Sequence, residues 1–327
     1  MTSRIPSLIP TRVHTPRATA AMISHGNYIT EKVTYPSHGE TLAGVLYRPK
    51  DVHSPPGVVV SGPYSFTKEQ ASTQYALRLA GEGYAALAFD PRTVGESTGN
   101  PRCLGNSVMK SEDVISGLDY LTSRGDVDGD RLFLAGICQG GLECLDVASY
   151  EPRVKAVASV GAYYRNHETD AWMICTGCAN LEPGANMDSF KLSTSEQGEA
   201  LYQARIKRAK EAKKLYEETE DAFAQPVVWF WYNPWGLQGV DNRHAISDLD
   251  QSDFAAVPGV AKLGKPALLI RNDDCMNAAA IERRFDSMLA CRKRLTWNDV
   301  VSRFKNHDHP DCVENNVGEV AAWFADA

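Results

Sequence analysis

Short apolar runs alternate with longer amphipathic segments over most of the chain. The apolar runs cover residues 57–61, 85–89, 131–135 and 154–160, and runs of this kind are typical of strands buried on both faces of a parallel sheet. Between them, hydrophobic residues recur at helical spacing, and the predicted helices cover residues 68–82, 111–123 and 139 to about 150. This alternation predicts a doubly wound, mostly parallel α/β sheet with right-handed crossovers.

The same rhythm appears near both ends of the chain. Residues 28–35 and 41–47 read as two antiparallel strands that are joined by the turn residues 36–39. Towards the C terminus, we expect strands at 266–271 and 295–301 and helices at 278–289 and 315–324.

Residues 162–262 interrupt the rhythm. They contain a charged helical segment at 199–223 and an aromatic run at 227–232, which could line an apolar pocket. An insertion of this length in an α/β sheet predicts a helical lid over the active site. The predicted division is an N-terminal arm (1–27), a catalytic core (28–161 and 263–327) and a lid (162–262).

Composition and charge exclude several classes of partner. The 327 residues carry a formal net charge of −7, so we expect neither nucleic acid nor an anionic membrane surface as a partner. No run approaches the roughly 20 apolar residues of a membrane span.

The eight cysteines read as reduced thiols and predict a cytoplasmic protein. Residues 1–27 precede the first acidic residue, Glu31, and read as an arm over the domain, with a transit peptide as the alternative.

The segment Gly136-Ile137-Cys138-Gln139-Gly140 lies directly after a predicted buried strand and directly before a predicted helix. This is the nucleophile-elbow pattern G-x-S-x-G with cysteine in place of serine. The glycines allow the strained turn and the close approach of strand and helix. A thiolate at a helix N terminus is stabilised by the backbone dipoles, so Cys138 is the predicted nucleophile.

An acid and a histidine are expected after the nucleophile, in that order. The segment after the strand at 266–271 supplies Asp274, our first choice, with Asp273 as the alternative. The loop before the last helix supplies two histidines, His307 and His309.

Backbone amides are expected to stabilise a negatively charged oxygen in the reaction. One is the amide of Gln139, directly after the nucleophile, and the second normally comes from the loop after the third strand. In that loop Pro63 has no N–H, so Tyr64 is the predicted donor, and its ring could also form a pocket wall.

We predict no cofactor and no metal site. His307 and His309 form an H-x-H pair, but no third ligand cluster stands near them in the sequence. Cys175 and Cys178 form a C-x-x-C pair that has no second pair at ligand spacing.

Several segments together resemble the dienelactone-hydrolase-like branch of the α/β hydrolases, and especially the group with fungal polyketide transferases and trans-acting hydrolases. The matching segments are residues 62–63 with 68–69, 89–92 with 95–97, 127–131, 136–141 and 153–157. The resemblance implies an α/β-hydrolase fold and a triad of Cys138, His309 and Asp274. The histidine choice rests on a similar His followed closely by Asp in that group. The segment 272–275 lacks the glycine that usually precedes the acid.

The expected activity is Cys-dependent acyl transfer, by a hydrolase or an acyltransferase, on a thioester, ester or lactone of polyketide type. The substrate would be a small molecule or an acyl group on a carrier protein, and a homodimer is left open. One alternative is a non-hydrolytic condensation, cyclisation or dehydration at the same site. Another is a binding module on a catalytically inactive hydrolase scaffold.

Overall fold

The structure is a computed structural model. It describes residues 27–64, 66–162, 196–219, 224–225, 243–244, 257–272, 275, 285–290, 292–298 and 305–327.

Within these residues, eight strands form one sheet. They are β1 (Tyr28–Ser37), β2 (Glu40–Pro49), β3 (Pro56–Ser61), β4 (Ala85–Phe89), β5 (Asp128–Ile137), β6 (Val154–Val160), β9 (Ala267–Arg271) and β10 (Lys293–Trp297). Their order across the sheet is β1-β2-β4-β3-β5-β6-β9-β10. Strands β1 and β2 pair with each other antiparallel, β2 also pairs antiparallel with β4, and every other neighbouring pair is parallel. The predicted α/β fold with a mostly parallel sheet is confirmed.

Seven helices and a small ribbon complete the described elements. The helices are α1 (Ala71–Gly81), α2 (Ser107–Ser123), α3 (Gln139–Tyr150), α4 (Glu196–Thr219), α5 (Val257–Lys262), α6 (Lys305–Asp308) and α7 (Pro310–Ala325). The two-residue strands β7 (Ala224–Gln225) and β8 (Arg243–His244) pair antiparallel.

Several predicted boundaries are wrong by a few residues. The hairpin turn shrinks to His38 and Gly39, both at positive φ, because β1 continues to Ser37. Helix α2 begins four residues earlier than predicted because Asn106 caps it, its side chain accepting from the amide of Met109 at 2.8 Å. The last helix begins at Pro310, whose fixed φ suits the first turn of a helix.

Apolar residues fill both faces of the sheet. Val58 and Val60 belong to one buried cluster and Val59 to another, since consecutive strand residues point to opposite faces. Helices α1 and α7 pack on the first face through residues such as Tyr75 and Val317. Helices α2, α3 and α5 pack on the second face, so the sheet is covered on both sides.

Parts of the predicted division lie outside the described residues. These include nearly all of the predicted arm, most of the predicted lid with Cys175, Cys178 and the aromatic run, and most of the predicted helix at 278–289. The division into arm, core and lid therefore stays a prediction. In the part of the chain that the structure describes, no helix is both long and apolar enough to cross a membrane.

Candidate active site

Cys138 occupies a sharp turn between β5 and α3. Its backbone angles are φ 55° and ψ −120°, a conformation that a residue with a side chain adopts only under strain. The turn is held in place because the amide of Cys138 donates to the carbonyl of Val160, at the end of neighbouring β6, at 2.8 Å. The residue is 7% exposed. The predicted elbow geometry is thus present in the backbone.

Two glycines make this turn sterically possible. A Cβ atom at Gly140 would lie 2.6 Å from the carbonyl oxygen of Gly62 and would also collide with that of Ser61. A Cβ atom at Gly136 would collide with the backbone of Gly140. Because the colliding atoms belong to the backbone, these contacts could not relax by a change of side-chain rotamer.

The amide of Gln139 lies in the first turn of α3, where amides have no acceptor within the helix. The role of this amide as an oxyanion donor stays a prediction. The Gln139 side chain points elsewhere, because its Nε2 donates to Oγ of Ser107 on α2 at 3.0 Å.

Tyr64 lies in the loop that follows β3. The loop approaches α3 closely, since the amide of Gly140 donates to the carbonyl of Gly62 at 3.1 Å. The Tyr64 side chain is 3% exposed and its ring packs so closely on Gly105 that a Cβ atom there would overlap it. The ring is thus buried against the segment that precedes α2.

The two histidines lie on either side of a helix boundary. His309 is half-buried at the N-cap of α7 with φ −68° and ψ 120°, and its carbonyl accepts from the amide of Val313 at 2.9 Å. Its Nδ1 is buried and has no hydrogen-bond partner among the described residues. His307 is buried inside α6, and its ring meets the ring of Phe66 edge-on with centroids 5.5 Å apart.

A network of buried amides holds this histidine segment, and sequence reasoning missed it. The Tyr75 hydroxyl donates to the carbonyl of Asn306 at 2.6 Å. Nδ2 of Asn316 donates to the same hydroxyl at 3.0 Å and to Oδ1 of Asn306 at 3.1 Å. Nδ2 of Asn298 also donates to Oδ1 of Asn306, at 3.0 Å. Tyr75 and Asn306 are separated by 231 positions, so no local sequence signal could have revealed the pairing.

The histidine segment lies at the same edge of the sheet as Cys138. A Cβ atom at Gly161, directly after β6, would lie 3.4 Å from Nδ2 of Asn306. Since Val160 accepts from the amide of Cys138, the end of β6 contacts both the nucleophile turn and the histidine segment. This is the carboxyl edge of the parallel strands, where α/β sheets bind ligands.

The two candidate acids, Asp273 and Asp274, lie outside the described residues. The residues on either side of them are described and buried. The amide of Cys275 donates to the carbonyl of Asn272 at 3.1 Å, and its thiol to Oδ1 of Asn272 at 2.8 Å. The choice between Asp273 and Asp274 stays a prediction.

Two buried ion pairs stabilise the loop that follows β4. Nζ of Lys68 contacts Oδ2 of Asp90 at 2.8 Å. Burial alone would lower the pKa of Lys68, but its three carboxylate partners raise the pKa above its ordinary value. Nε of Arg92 contacts Oδ1 of Asp113 at 2.6 Å. The two pairs join the loop after β4 to the segment before α1 and to α2.

The chain is similar to curated proteins over part of its length. It is 37% identical over 135 residues to an uncharacterised protein of Pseudomonas aeruginosa, covering 40% of this chain and 36% of that one. It is 32% identical over 133 residues to a thiohydrolase of Arthrinium phaeospermum, covering 40% and 43%. It is 28% identical over 147 residues to a polyketide transferase of Penicillium crustosum, covering 44% and 48%. The chain therefore matches less than half the length of each of these relatives.

Solved structures agree over nearly the whole chain. The structure of a hypothetical protein from Pseudomonas aeruginosa has a TM-score of 0.73 at 22% identity, covering 95% of both chains. An α/β hydrolase from Penicillium also has a TM-score of 0.73, at 16% identity, covering 91% of this chain and 98% of that one. At these identities the likeness shows the fold, which is that of the α/β hydrolases.

A family model described as X-Pro dipeptidyl-peptidase (S15 family) matches residues 38–257. The match begins in the β1–β2 hairpin and includes the turn at Cys138. Because it spans more than half of the 327 residues, the chain belongs to the X-Pro dipeptidyl-peptidase (S15) family of α/β hydrolases.

Proposed function

We propose that this protein is a Cys-dependent acyl-transfer enzyme, a hydrolase or acyltransferase that acts on a thioester, ester or lactone of polyketide type. The observation that carries the proposal is the strained turn at Cys138, which places a thiol at the start of α3. Residues that are held in strained backbone conformations cluster at active sites. The thiohydrolase and polyketide transferase among its relatives support the reaction and substrate classes.

In the first half of the proposed reaction, His309 removes the proton from Sγ of Cys138. The thiolate attacks the carbonyl carbon of the acyl group, and the carbonyl oxygen gains the negative charge. The amides of Gln139 and Tyr64 donate to that oxygen, and Asp274, or Asp273, orients the histidine. When the carbonyl re-forms, the leaving group departs with the proton from His309 and the acyl group remains on Cys138.

In the second half, an acceptor takes the acyl group. His309 removes a proton from water, or from another nucleophile, as it attacks the thioester carbon of the acyl-enzyme. Sγ of Cys138 leaves and recovers a proton from the histidine. Exchange between a thioester substrate and the enzyme thiol is close to isoenergetic, so an acyl chain on a carrier protein is a suitable donor.

The test is turnover of an acyl N-acetylcysteamine thioester, combined with intact-protein mass spectrometry. We expect the native protein to carry one acyl adduct on Cys138. Cys138→Ala should lose at least about 10³-fold in kcat and carry no adduct, as expected for loss of a nucleophile. Cys103→Ser is the matched control, because Cys103 is also a free thiol and is more exposed than Cys138. It lies in the loop before α2 and not in the turn between β5 and α3. This variant should retain native turnover and the adduct.

Other outcomes point to the alternatives. Full turnover by Cys138→Ala on every thioester that the native protein accepts would contradict the proposal. Turnover without any adduct would favour a condensation, cyclisation or dehydration at this site. Failure of an electrophile to label Cys138 at neutral pH would favour a binding module. An X-Pro anilide belongs in the substrate panel because of the family, and its cleavage in preference to thioesters would overturn the proposed substrate class.

The same assay distinguishes the histidines and the acids. We expect His309→Ala to lose about 10³-fold or more in acylation and His307→Ala to lose much less, because His307 is buried against Phe66. The opposite order would assign the base to His307. Asp274→Asn compared with Asp273→Asn tests the acid in the same way.

A further inference from the structure

Lys110 is a buried lysine that contacts the loop after β3. It lies on α2 and is 6% exposed. Its Nζ donates to the carbonyl oxygens of Gly62 at 2.6 Å and Pro63 at 3.3 Å. The same ammonium lies 3.3 Å from Oε2 of Glu143, a fully buried residue of α3. The ammonium group thus donates to two carbonyls of the loop and lies within ion-pair distance of one carboxylate.

We propose that Lys110 is a positioning residue that directs the amide of Tyr64 towards the reacting oxygen. This inference rests on the proposed function. The carbonyl of Pro63 and the amide of Tyr64 belong to one peptide unit, and in a trans peptide the C=O and N–H bonds point in opposite directions. Because Nζ of Lys110 lies on the carbonyl side, the N–H of Tyr64 points away from that ammonium group.

The position of the loop relative to Cys138 depends on the same contacts. The carbonyl of Gly62 accepts both from Lys110 and from the amide of Gly140, two residues after the nucleophile. Glu143, which pairs with Lys110, lies on that same helix. The ammonium group of Lys110 is therefore a second link between the loop and α3, beside the hydrogen bond from the amide of Gly140 to the carbonyl of Gly62.

This arrangement predicts a geometric effect and little change in the reactivity of the thiol. The positive charge of Lys110 is balanced by Glu143 at 3.3 Å, so the pair adds little net field at Cys138. A hydrogen bond to the Pro63 carbonyl also polarises its peptide unit and strengthens the Tyr64 amide as a donor. Loss of Lys110 should thus weaken stabilisation of the oxyanion, while the thiolate stays reactive.

The test compares three variants of the full chain on the acyl N-acetylcysteamine thioester. Lys110→Met alone would leave Glu143 as an unpaired buried charge and could prevent folding, so the main variant is the double Lys110→Met/Glu143→Gln, which removes both charges. Glu143→Gln alone keeps the Lys110 donors on the loop. Arg78→Met is the matched control, because Arg78 is another buried cation, paired with Glu314 on α7 and away from this loop.

We expect the double variant to lose about 10- to 100-fold in kcat with KM within about threefold, since removal of an oxyanion donor acts on the transition state. Affinity for an aldehyde analogue, to which the Cys138 thiol adds as the proton passes to the carbonyl oxygen, should fall by the same factor as kcat/KM. Alkylation of Cys138 by iodoacetamide should change by less than about threefold. Glu143→Gln and Arg78→Met should each lose less than about fivefold in kcat.

Three results would overturn the proposal. They are an unchanged kcat in the double variant, a rise in KM without a fall in kcat, and a slowing of Cys138 alkylation by the same factor as kcat. If the native protein forms no acyl-enzyme, the proposed function fails and this inference fails with it. If the native protein forms the acyl-enzyme and the double variant forms it equally fast, only the role of Lys110 is wrong.

Discussion

The turn at Cys138, the proposed nucleophile, and the histidine segment lie at the same edge of the sheet, but different interactions hold them. The turn at Cys138 is fixed by backbone contacts, with its amide on Val160 and with glycines at 136 and 140 where any side chain would collide with main-chain atoms. The histidine segment is fixed by side chains, through the hydroxyl of Tyr75 and the amides of Asn306 and Asn316.

This difference determines how each side should respond to substitution. Backbone atoms that are part of a central strand cannot move without disturbing the sheet, so the nucleophile side should tolerate almost no added volume. A buried side-chain network loses one or two hydrogen bonds when a single partner is removed, and the surrounding fold survives. The predictions below test this contrast, beginning with the largest expected effect.

Gly140→Ala should nearly abolish folding. The new Cβ atom would lie 2.6 Å from the Gly62 carbonyl oxygen, and that carbonyl also accepts the amide of residue 140. We expect the free energy of unfolding in urea to fall by about 4 kcal/mol or more, which is the range of severe backbone and packing defects.

The matched control is Gly318→Ala on α7. A Cβ atom there meets nothing within 4 Å, and the residue is exposed within a helix. Alanine should raise the free energy of unfolding by roughly 0.5–1 kcal/mol through helix propensity. Equal effects of the two substitutions would show that backbone crowding does not hold the nucleophile turn.

The same contrast explains what could be predicted from the sequence. The elbow at Cys138 was predictable because glycine spacing and the flanking strand and helix are local features that directly limit backbone geometry. The Tyr75–Asn306 contact joins residues 231 positions apart, and Lys110 contacts a loop 47 and 48 positions away. Asparagine and lysine are mostly exposed in proteins and tyrosine is intermediate, so no local signal marks Tyr75, Lys110 and Asn306 as buried.

The histidine segment also shows where a local pattern misleads. His307 was predicted in a loop and lies in α6, because the amide network fixes a helical turn before the proline at the start of α7. Cys312 contributes to that network, its thiol donating to Oδ1 of Asn306 at 3.3 Å. Burial raises the pKa of Cys312 to about 11, so it remains a thiol at neutral pH.

Tyr75→Phe should give an intermediate effect that includes catalysis. It removes the donor to the Asn306 carbonyl and the acceptor for Nδ2 of Asn316, and both groups stay buried. We expect the free energy of unfolding to fall by about 2–3 kcal/mol. Because the network holds the segment that carries His309, kcat should fall about tenfold, as expected for a base displaced by a fraction of an ångström. Alkylation of Cys138 by excess iodoacetamide should keep its native rate, because backbone contacts hold the turn at Cys138.

Tyr84→Phe is the control for that variant. The Tyr84 hydroxyl donates to the carbonyl of Ala321, near the end of α7, at 2.9 Å. The same chemical change should lower the free energy of unfolding by about 1 kcal/mol and leave kcat within about twofold. A tenfold loss of kcat in Tyr84→Phe as well would mean that general loosening of α7, rather than the amide network, positions the histidine.

Asp146→Asn tests the nucleophile helix itself and should give the smallest effect, a gain in stability. Burial raises the pKa of Asp146 on α3 from 3.8 to about 6. The folded protein then binds this proton more tightly than the unfolded chain, so stability falls as pH rises from about 4 to 6, and the loss is complete above that range. Because the group is half-buried and its charge is partly solvated, we expect Asp146→Asn to gain only about 1 kcal/mol at pH 8 and nothing near pH 4.

The exposed Asp130 provides the comparison for this gain, since Asp130→Asn should shift the free energy of unfolding by less than about 0.5 kcal/mol at both pH values. Turnover by Asp146→Asn should remain native, because main-chain contacts fix the turn at Cys138. The charge of Asp146, on a later turn of α3, takes no part in those contacts. A loss of kcat in this variant, with the helix made more stable, would show that side chains of α3 also position the nucleophile. The contrast between a backbone-held nucleophile and a side-chain-held histidine would then not hold.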